Sequence, residues 1–270
     1  MKMKKVGFLG AGNMAGALIK GILGSGVYRA SELWVTDAVA EQRRRIRRRY
    51  GVAAAPDNRE LVRGSQIVVL AVKPQVLAAV LDEVRSVATN RQLFVSIAAG
   101  VPLTRIEERL GGKRLVRVMP NTPALLGKGM SVLVKGAKAT AADLRAAMRI
   151  FRGVGDALAV DEESALDPVT GLSGSGPAYV YRFAEALIEA GTRQGLSPAV
   201  ASRLVFQTID GAAAMLLGTG MSPKELREMV SSPGGTTLAG LAALDRAGFA
   251  AAVDAAVSTA TRRSRELGAG

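Results

Sequence analysis

The feature that most constrains the fold is a glycine-rich segment near the N-terminus, Gly10–Gly16, with the sequence GAGNMAG. It follows the apolar run Val6–Leu9 and precedes a helical pattern, so it fits the G-x-G-x-x-G/A arrangement of strand, tight turn and helix. Gly10 permits the turn, and Gly12 lets the backbone approach a pyrophosphate at the helix N-terminus. Glycine turns are common in a chain with 31 glycines. The position after a first strand nevertheless predicts a dinucleotide-binding βαβ unit.

The first 160 or so residues alternate short apolar runs with helical patterns, which favours parallel strands joined by crossover helices. The predicted strands are Lys5–Leu9, Leu33–Thr36, Ile67–Val72, Leu93–Ile97, Leu115–Met119, Met130–Val134 and Ala157–Val160. The predicted helices of this part are Met14–Leu23, Glu41–Tyr50, Gln75–Val87, Leu103–Leu110 and Ala141–Arg152. We therefore expect an α/β fold in which residues 1–160 form an N-terminal Rossmann-type, doubly wound sheet that binds NAD(P).

After about Asp161 no useful strand candidate remains, and alanine- and leucine-rich periodic segments dominate. Helices are predicted over Ala178–Gln194, from Ser197-Pro198 onward, from Ser222 with capping-box spacing to Glu225, and over Phe249–Leu267. Their apolar faces are broader than one small domain covers. Residues 161–270 are therefore expected to form an all-helical dimerisation and substrate domain.

The composition removes several classes of chemistry. The chain has no cysteine and no histidine, so disulfides, thiolate or imidazole metal sites and Ser-His-Asp triads are excluded, and no metal site is predicted. No run of 18 or more uninterrupted apolar residues suggests a membrane span, and the N-terminus does not resemble a secretory signal. We expect a cytoplasmic protein with no membrane partner.

The chain carries a formal charge of +13, and its densest basic run is Arg43–Arg49. Tyr50 is the only aromatic residue beside this run, so no stacking platform for single-stranded nucleic acid is predicted. A solvated helix face explains the run as well, and we expect no nucleic-acid partner.

Asp37 follows the second predicted strand, where an acid usually accepts hydrogen bonds from the adenosine ribose and favours NADH. The arginine run begins six residues later, and a guanidinium there could hold a 2′-phosphate instead. A third possibility is that Asp37 caps the following helix. The residues alone leave the three roles open.

Three further loops are candidates for ligand binding. Ala71–Pro74 and Ser96–Gly100 follow predicted strands, at the sheet edge where ligands bind, although ordinary strand-to-helix turns look the same. In the helical half, Ser231–Thr237 combines glycines and hydroxyls before a helix, which suits a carboxylate. By composition alone, a loop that merely caps a helix is the favoured interpretation.

Two motifs of the helical half, Gly171–Tyr179 (GLSGSGPAY) and Val230–Thr237 (VSSPGGTT), resemble those of pyrroline-5-carboxylate reductases, the last enzymes of proline biosynthesis. The N-terminal blocks Phe8–Met14, Ala71–Pro74, Ser96–Gly100 and Met119–Pro123 are similar to blocks of the same family, in the same order. The resemblance covers nearly the whole chain, and the second motif is highly specific.

The resemblance implies roles for individual residues. The implied cofactor contacts are Leu9, Gly10, Ala11, Gly12, Asn13, Met14, Asn58, Ala71, Val72, Lys73, Pro74, Ile97, Ala98 and Ala99, and Asp37 is added from its place after the second strand. The implied substrate-carboxylate pocket consists of Ser232, Gly234, Gly235, Thr236 and Thr237. Thr237 is also the implied catalytic residue, because it matches the threonine whose hydroxyl faces the ring nitrogen of the substrate.

The resemblance also implies the reaction, reduction of 1-pyrroline-5-carboxylate to L-proline by hydride transfer from NADPH, with NADH as an alternative. Asp37 departs from the small hydroxyl residue or asparagine that the family often has there, which puts the NADPH preference in question. The implied assembly is a homodimer, with higher assemblies up to a decamer of dimers.

Two enzymatic alternatives lack their hallmarks in this chain. A β-hydroxyacid dehydrogenase has a catalytic lysine on the helix after a glycine-rich turn, but no lysine follows Gly176 until Lys224. A short-chain dehydrogenase has a tyrosine four residues before a lysine, and no tyrosine here has that neighbour. A basic Rossmann-like nucleic-acid or redox-sensing protein would instead bind DNA with a steep dependence on salt.

Overall fold

The computed structural model describes residues 3–269 and contains one eight-stranded sheet in the order β3-β2-β1-β4-β5-β6-β7-β8. The strands are β1 (Lys4–Leu9), β2 (Leu33–Thr36), β3 (Ala53–Ala54), β4 (Ser65–Leu70), β5 (Leu93–Ser96), β6 (Arg114–Pro120), β7 (Gly129–Lys135) and β8 (Gly155–Ala159). All neighbouring pairs are parallel except β6 and β7. The order from β3 to β6 is that of a doubly wound dinucleotide-binding sheet, as expected.

Crossover helices cover both faces of the sheet. They are α1 (Asn13–Gly24), α2 (Ala40–Tyr50), α3 (Asn58–Arg63), α4 (Pro74–Val84), α5 (Leu103–Leu110) and α6 (Ala141–Arg152). Leu18 of α1 and Phe151 of α6 belong to one buried cluster, whereas Leu77 of α4 and Ile106 of α5 belong to the other. The strands bury side chains on both faces, which explains why they read as continuous apolar runs.

Several details differ from the expectation. β4 ends at Leu70, two residues before the predicted end at Val72, because the chain turns toward Pro74, the first residue of α4. α4 then ends at Val84 instead of Val87. β3 and α3 were not predicted, since a two-residue strand and a six-residue helix are too short for periodicity to detect.

The remaining helices are α7 (Leu166–Val169), α8 (Gly176–Arg193), α9 (Pro198–Gly218), α10 (Pro223–Met229), α11 (Thr236–Arg246) and α12 (Phe249–Ala269), with a π turn at Thr170–Gly174. The predicted capping box is present, because Ser222 accepts from the Glu225 N–H and the Glu225 carboxylate accepts in return. The Ser222 hydroxyl and backbone N–H lower the pKa of the Glu225 carboxyl.

The chain divides into two compact units, residues 1–175 with 259–270, and residues 176–258. The second unit buries few side chains: Ala184 is the buried residue of α8, and Ala201 is that of α9. In the described part of the chain, α9 is the one helix long and apolar enough to cross a membrane, judged by length and composition alone. An apolar helix that packs against another protein surface passes the same test.

Candidate active site

The predicted cofactor residues lie together at the carboxyl edge of the parallel strands. Leu9 ends β1, Asp37 follows β2, the loop from Ala71 follows β4, and the loop from Ile97 follows β5. Because these four strands are neighbours in the sheet, their loops border one crevice, where ligands of such sheets bind.

Gly10 is required by a close approach between two of these loops. Its φ is +105°, a conformation that residues with a side chain rarely adopt. A Cβ at this position would lie 2.6 Å from the carbonyl oxygen of Ala71. The approach is fixed by the Ala71 N–H, which donates to the Leu9 carbonyl at 2.8 Å. The tight turn inferred from the sequence therefore brings the first loop against the loop after β4.

Gly12 leaves room for a ligand at the start of α1. It is the N-cap residue of α1, and no side chain caps the helix. A Cβ built on Gly12 would meet no atom within 4 Å. The free N–H groups of a helix N-terminus, next to an open backbone surface, form a site for an anion such as a pyrophosphate. This cradle fits the phosphates of a dinucleotide.

Asp37 holds the glycine-rich turn. Its Oδ2 accepts from the Ala11 N–H at 2.7 Å, and its Oδ1 accepts from the Val39 N–H at 2.8 Å. The N-cap of α2 is Val39, which has no side-chain cap, so the suggested capping of α2 by Asp37 is wrong. Both carboxylate oxygens are engaged by backbone donors, a long-range arrangement that the sequence does not reveal.

Two arginines of α2 reach the same turn. Arg43 donates through Nη1 to the Asp37 carbonyl, and Arg45 donates through Nη2 to the Ala11 carbonyl at 3.2 Å. Arg44 instead pairs with Glu41 at 2.8 Å and is exposed. The arginine run is therefore partly a solvated face and partly a source of positive charge beside Asp37.

Asn58 begins α3, the short helix between β3 and β4. Its Oδ1 accepts from the Thr36 hydroxyl at 2.9 Å, and its Nδ2 donates to Glu83 at 2.7 Å. The two bonds fix the orientation of the amide. Glu83 on α4 is a partner that the sequence did not predict, since nothing in the spacing links it to Asn58.

The predicted carboxylate pocket lies in the second unit, in the loop between α10 and α11. Gly234 has φ +71°, and the Gly235 N–H donates to the Ser232 carbonyl at 2.9 Å. Gly235 is the N-cap of α11, and no side chain caps this helix. The loop therefore supplies the N-cap residue of α11, as the helix-capping interpretation expects, but no side-chain cap, so the first-turn N–H groups of α11 stay available to an anion.

The hydroxyls of this loop fall into two groups. The Ser231 hydroxyl donates to the Arg227 carbonyl at 2.7 Å and is consumed by its own helix. The hydroxyls of Ser232, Thr236 and Thr237 have no hydrogen-bond partner among residues 3–269. Three free hydroxyls and an uncapped helix start suit a small carboxylic acid.

Comparisons with known proteins agree with this architecture. Residues 163–267 match the family model described as pyrroline-5-carboxylate reductase dimerisation. Residues 5–100 match the model described as NADP oxidoreductase, coenzyme F420-dependent. The match at residues 163–267 includes the whole second unit, and the match at residues 5–100 includes the glycine-rich turn.

Full-length relatives carry the same name. The pyrroline-5-carboxylate reductase of Methanosarcina acetivorans is 43% identical, with 99% of each chain covered. That of Arabidopsis thaliana is 41% identical, with 97% of this chain and 95% of the relative covered.

Solved structures give the same result. A pyrroline-5-carboxylate reductase from Coxiella burnetii superposes with a TM-score of 0.93 at 34% identity, covering 98% of this chain and 99% of that one. The Plasmodium falciparum pyrroline carboxylate reductase, solved with NADP bound, superposes with a TM-score of 0.86 at 32% identity, covering 99% of both chains. The chain therefore belongs to the pyrroline-5-carboxylate reductase family.

Proposed function

We propose that this protein reduces 1-pyrroline-5-carboxylate to L-proline with NADPH. The observation that carries the proposal is the similarity over 99% of the chain to a curated pyrroline-5-carboxylate reductase. The open glycine-rich turn and the unpaired hydroxyls of Ser232, Thr236 and Thr237 give this similarity a physical basis.

The proposed dinucleotide site consists of the loops at the carboxyl edge of the sheet. The open backbone at Gly12 and the uncapped start of α1 hold the pyrophosphate. We assign Asn58 to the adenosine half, and Ala71–Pro74 and Ile97–Ala99 to the nicotinamide half. In this proposal residues 1–160 bind NADPH, and NADH remains a second acceptable cofactor.

The proposed substrate site is the Ser231–Thr237 loop. Ser232 and the backbone of Gly234–Thr237 hold the substrate carboxylate, because the uncapped N–H groups of α11 and a free hydroxyl favour an anion. The Thr237 hydroxyl oxygen accepts a hydrogen bond from the N–H of the protonated ring nitrogen. These contacts fix which face of the ring is presented to the cofactor.

The chemistry is compatible with a chain that has no histidine. Reduced nicotinamide supplies a hydride for the carbon of the C=N bond. An iminium carbon is already a strong electrophile, so the protein has to orient the substrate more than to protonate it. Thr237 and the carboxylate contacts are sufficient for that task.

The assembly belongs to the same proposal. A homo-oligomer follows from the dimerisation segment at residues 163–267, and we propose a dimer that associates further, up to a decamer of dimers. We place the protein in the cytoplasm, with no membrane or nucleic-acid partner. On this view the apolar face of α9 is covered by a second copy of the chain.

The decisive experiment follows the oxidation of NADPH by absorbance in the presence and absence of 1-pyrroline-5-carboxylate. We expect turnover that depends on the imine, with proline as the product. A purified, folded protein that oxidises neither NADPH nor NADH with this substrate would contradict the proposal. The control for the alternative class, the β-hydroxyacid dehydrogenases, is an assay with a β-hydroxyacid and the oxidised cofactor.

A further inference from the structure

A π turn at Thr170–Gly174 overlaps the start of the motif Gly171–Tyr179, to which the proposed function assigns no role. The Ser175 N–H donates to the Thr170 carbonyl at 2.8 Å, which is the spacing of a π turn. Such turns are rare and are found frequently at functional sites. The question is what holds this turn in place and what it presents.

Asn121, which follows β6 directly, holds the turn. Its Oδ1 accepts from the Met130 N–H at 2.9 Å, so its amide oxygen faces β7. Its Nδ2 therefore faces the π turn and donates to the Ser173 carbonyl at 3.2 Å and to the Ser173 hydroxyl at 3.3 Å. One amide thus connects the end of β6, the start of β7 and the π turn.

The position in the sheet places Ser173 beside the nicotinamide half of the crevice. β6 pairs in parallel with β5, so Asn121 lies at the same edge as the loop Ile97–Ala99. Ligands of these sheets bind beyond this edge, one nucleotide on each half of the strand order. The Ser173 side chain is half-buried, and its hydroxyl hydrogen has no acceptor among residues 3–269. A hydroxyl donor is therefore available there.

We propose that Ser173 donates a hydrogen bond to the carboxamide oxygen of the nicotinamide, and that Asn121 is the positioning residue that holds Ser173 for this contact. The inference rests on the proposed function, because it requires a nicotinamide at this edge. A donor at the carboxamide restricts rotation of the ring, and hydride transfer depends on that orientation. The contact gives the glycine- and serine-rich motif a role in cofactor binding.

The test compares binding of NADPH with binding of its thionicotinamide analogue, in which the carboxamide oxygen is replaced by sulfur, a weaker acceptor. Both are titrated by calorimetry without the imine substrate. We expect Ser173→Ala to weaken NADPH binding by roughly three- to tenfold and to weaken analogue binding much less. The affinity ratio between the two dinucleotides then falls toward one.

Asn121→Ala should lower the ratio of NADPH affinity to analogue affinity in the same way. Asn121→Asp is the more selective variant, because a carboxylate still accepts from the Met130 N–H but cannot donate to Ser173. Ser25→Ala is the matched control, since this exposed serine bonds only to carbonyls of its own helix. It should leave both affinities unchanged.

Equal weakening of the two dinucleotides in Ser173→Ala would overturn the contact with the carboxamide. A lower ratio of NADPH affinity to analogue affinity in Ser173→Ala, with an unchanged ratio in both Asn121 variants, would overturn the positioning role of Asn121. Thermal unfolding of each variant verifies that it is folded. Failure of the proposed function would be a separate result, namely a wild-type protein that does not reduce the imine. The ratio of NADPH affinity to analogue affinity is measured without the imine and does not depend on that result.

Discussion

At the scale of single residues, Thr237 is the most informative position for the chemistry. Thr237→Ala removes the hydroxyl proposed to accept a hydrogen bond from the ring N–H as the iminium becomes an amine. A bond that is strongest near the transition state affects turnover more than it affects ground-state binding. One hydrogen bond to a charged group is worth about 1.5–3 kcal/mol, so we expect a loss of roughly ten- to a hundredfold in kcat/KM. NADPH affinity, measured by titration, should barely change.

Ser231→Ala is the matched control for Thr237→Ala. Ser231 belongs to the same loop, but its hydroxyl is already bonded to the Arg227 carbonyl. Turnover should stay within a few-fold of wild type. If Thr237→Ala keeps near-normal efficiency, or if the two variants lose activity equally, the catalytic role of Thr237 is wrong.

Asp37 decides a second question at this scale, the choice between NADPH and NADH. Both of its oxygens already accept backbone N–H groups, from Ala11 and Val39. We therefore expect Asp37→Asn to weaken the use of both cofactors by a similar factor, because the variant loosens the glycine-rich turn. The measurement is kcat/KM with each cofactor. A much larger loss with NADH than with NADPH would mean that the carboxylate contacts the ribose.

At the scale of elements, the crossing of α1 and α6 depends on glycine. A Cβ on Gly21 of α1 would lie 2.4 Å from the Gly153 carbonyl oxygen, directly after α6. Backbone cannot rotate away as a side chain can, so Gly21→Ala should separate the two helices and cost about 1–3 kcal/mol in the free energy of unfolding. Denaturant unfolding measures the change.

Gly24→Ala, on the same helix, is the control. A Cβ there would meet no atom within 4 Å, and alanine restricts the unfolded chain more than glycine does. The variant should be neutral or more stable by up to about 1 kcal/mol. A loss of stability equal to that of Gly21→Ala would show that the close contact with Gly153 is not the cause of the effect.

Local sequence patterns predicted the strands and the positions of the loops, but not the side-chain contacts between elements. Strands such as Leu33–Thr36 were predictable because they bury every side chain and therefore consist of consecutive apolar residues. The positions of the cofactor loops were predictable, since these loops follow strands. The contacts of these loops could not be predicted. The bond from the Ala11 N–H to Asp37 joins residues 26 positions apart, and the bond from Asn58 to Glu83 joins residues 25 positions apart. Such pairs depend on the packed fold, which no local pattern encodes.

At the scale of the whole molecule, the second unit explains why the chain assembles. Large apolar side chains remain exposed along it, among them Leu204 (53% exposed), Phe206 (59%) and Leu217 (89%) on α9. Helices with so few buried residues have little core of their own. Because this segment lies within the dimerisation match at residues 163–267, we propose that a second copy of the chain supplies the missing core.

Phe206→Arg tests this explanation. In a two-fold symmetric dimer each substitution occurs twice, and burying an unpaired guanidinium in an apolar interface costs several kcal/mol per copy. We expect light scattering at micromolar concentration to give the monomer mass for Phe206→Arg, and a dimer or a multiple of it for the wild type. Leu158→Arg is the control, because Leu158 is also exposed (42%) but lies on β8, outside the matched segment. A wild-type mass for Phe206→Arg, or a folded wild-type monomer, would mean that the helical unit is stable without a partner.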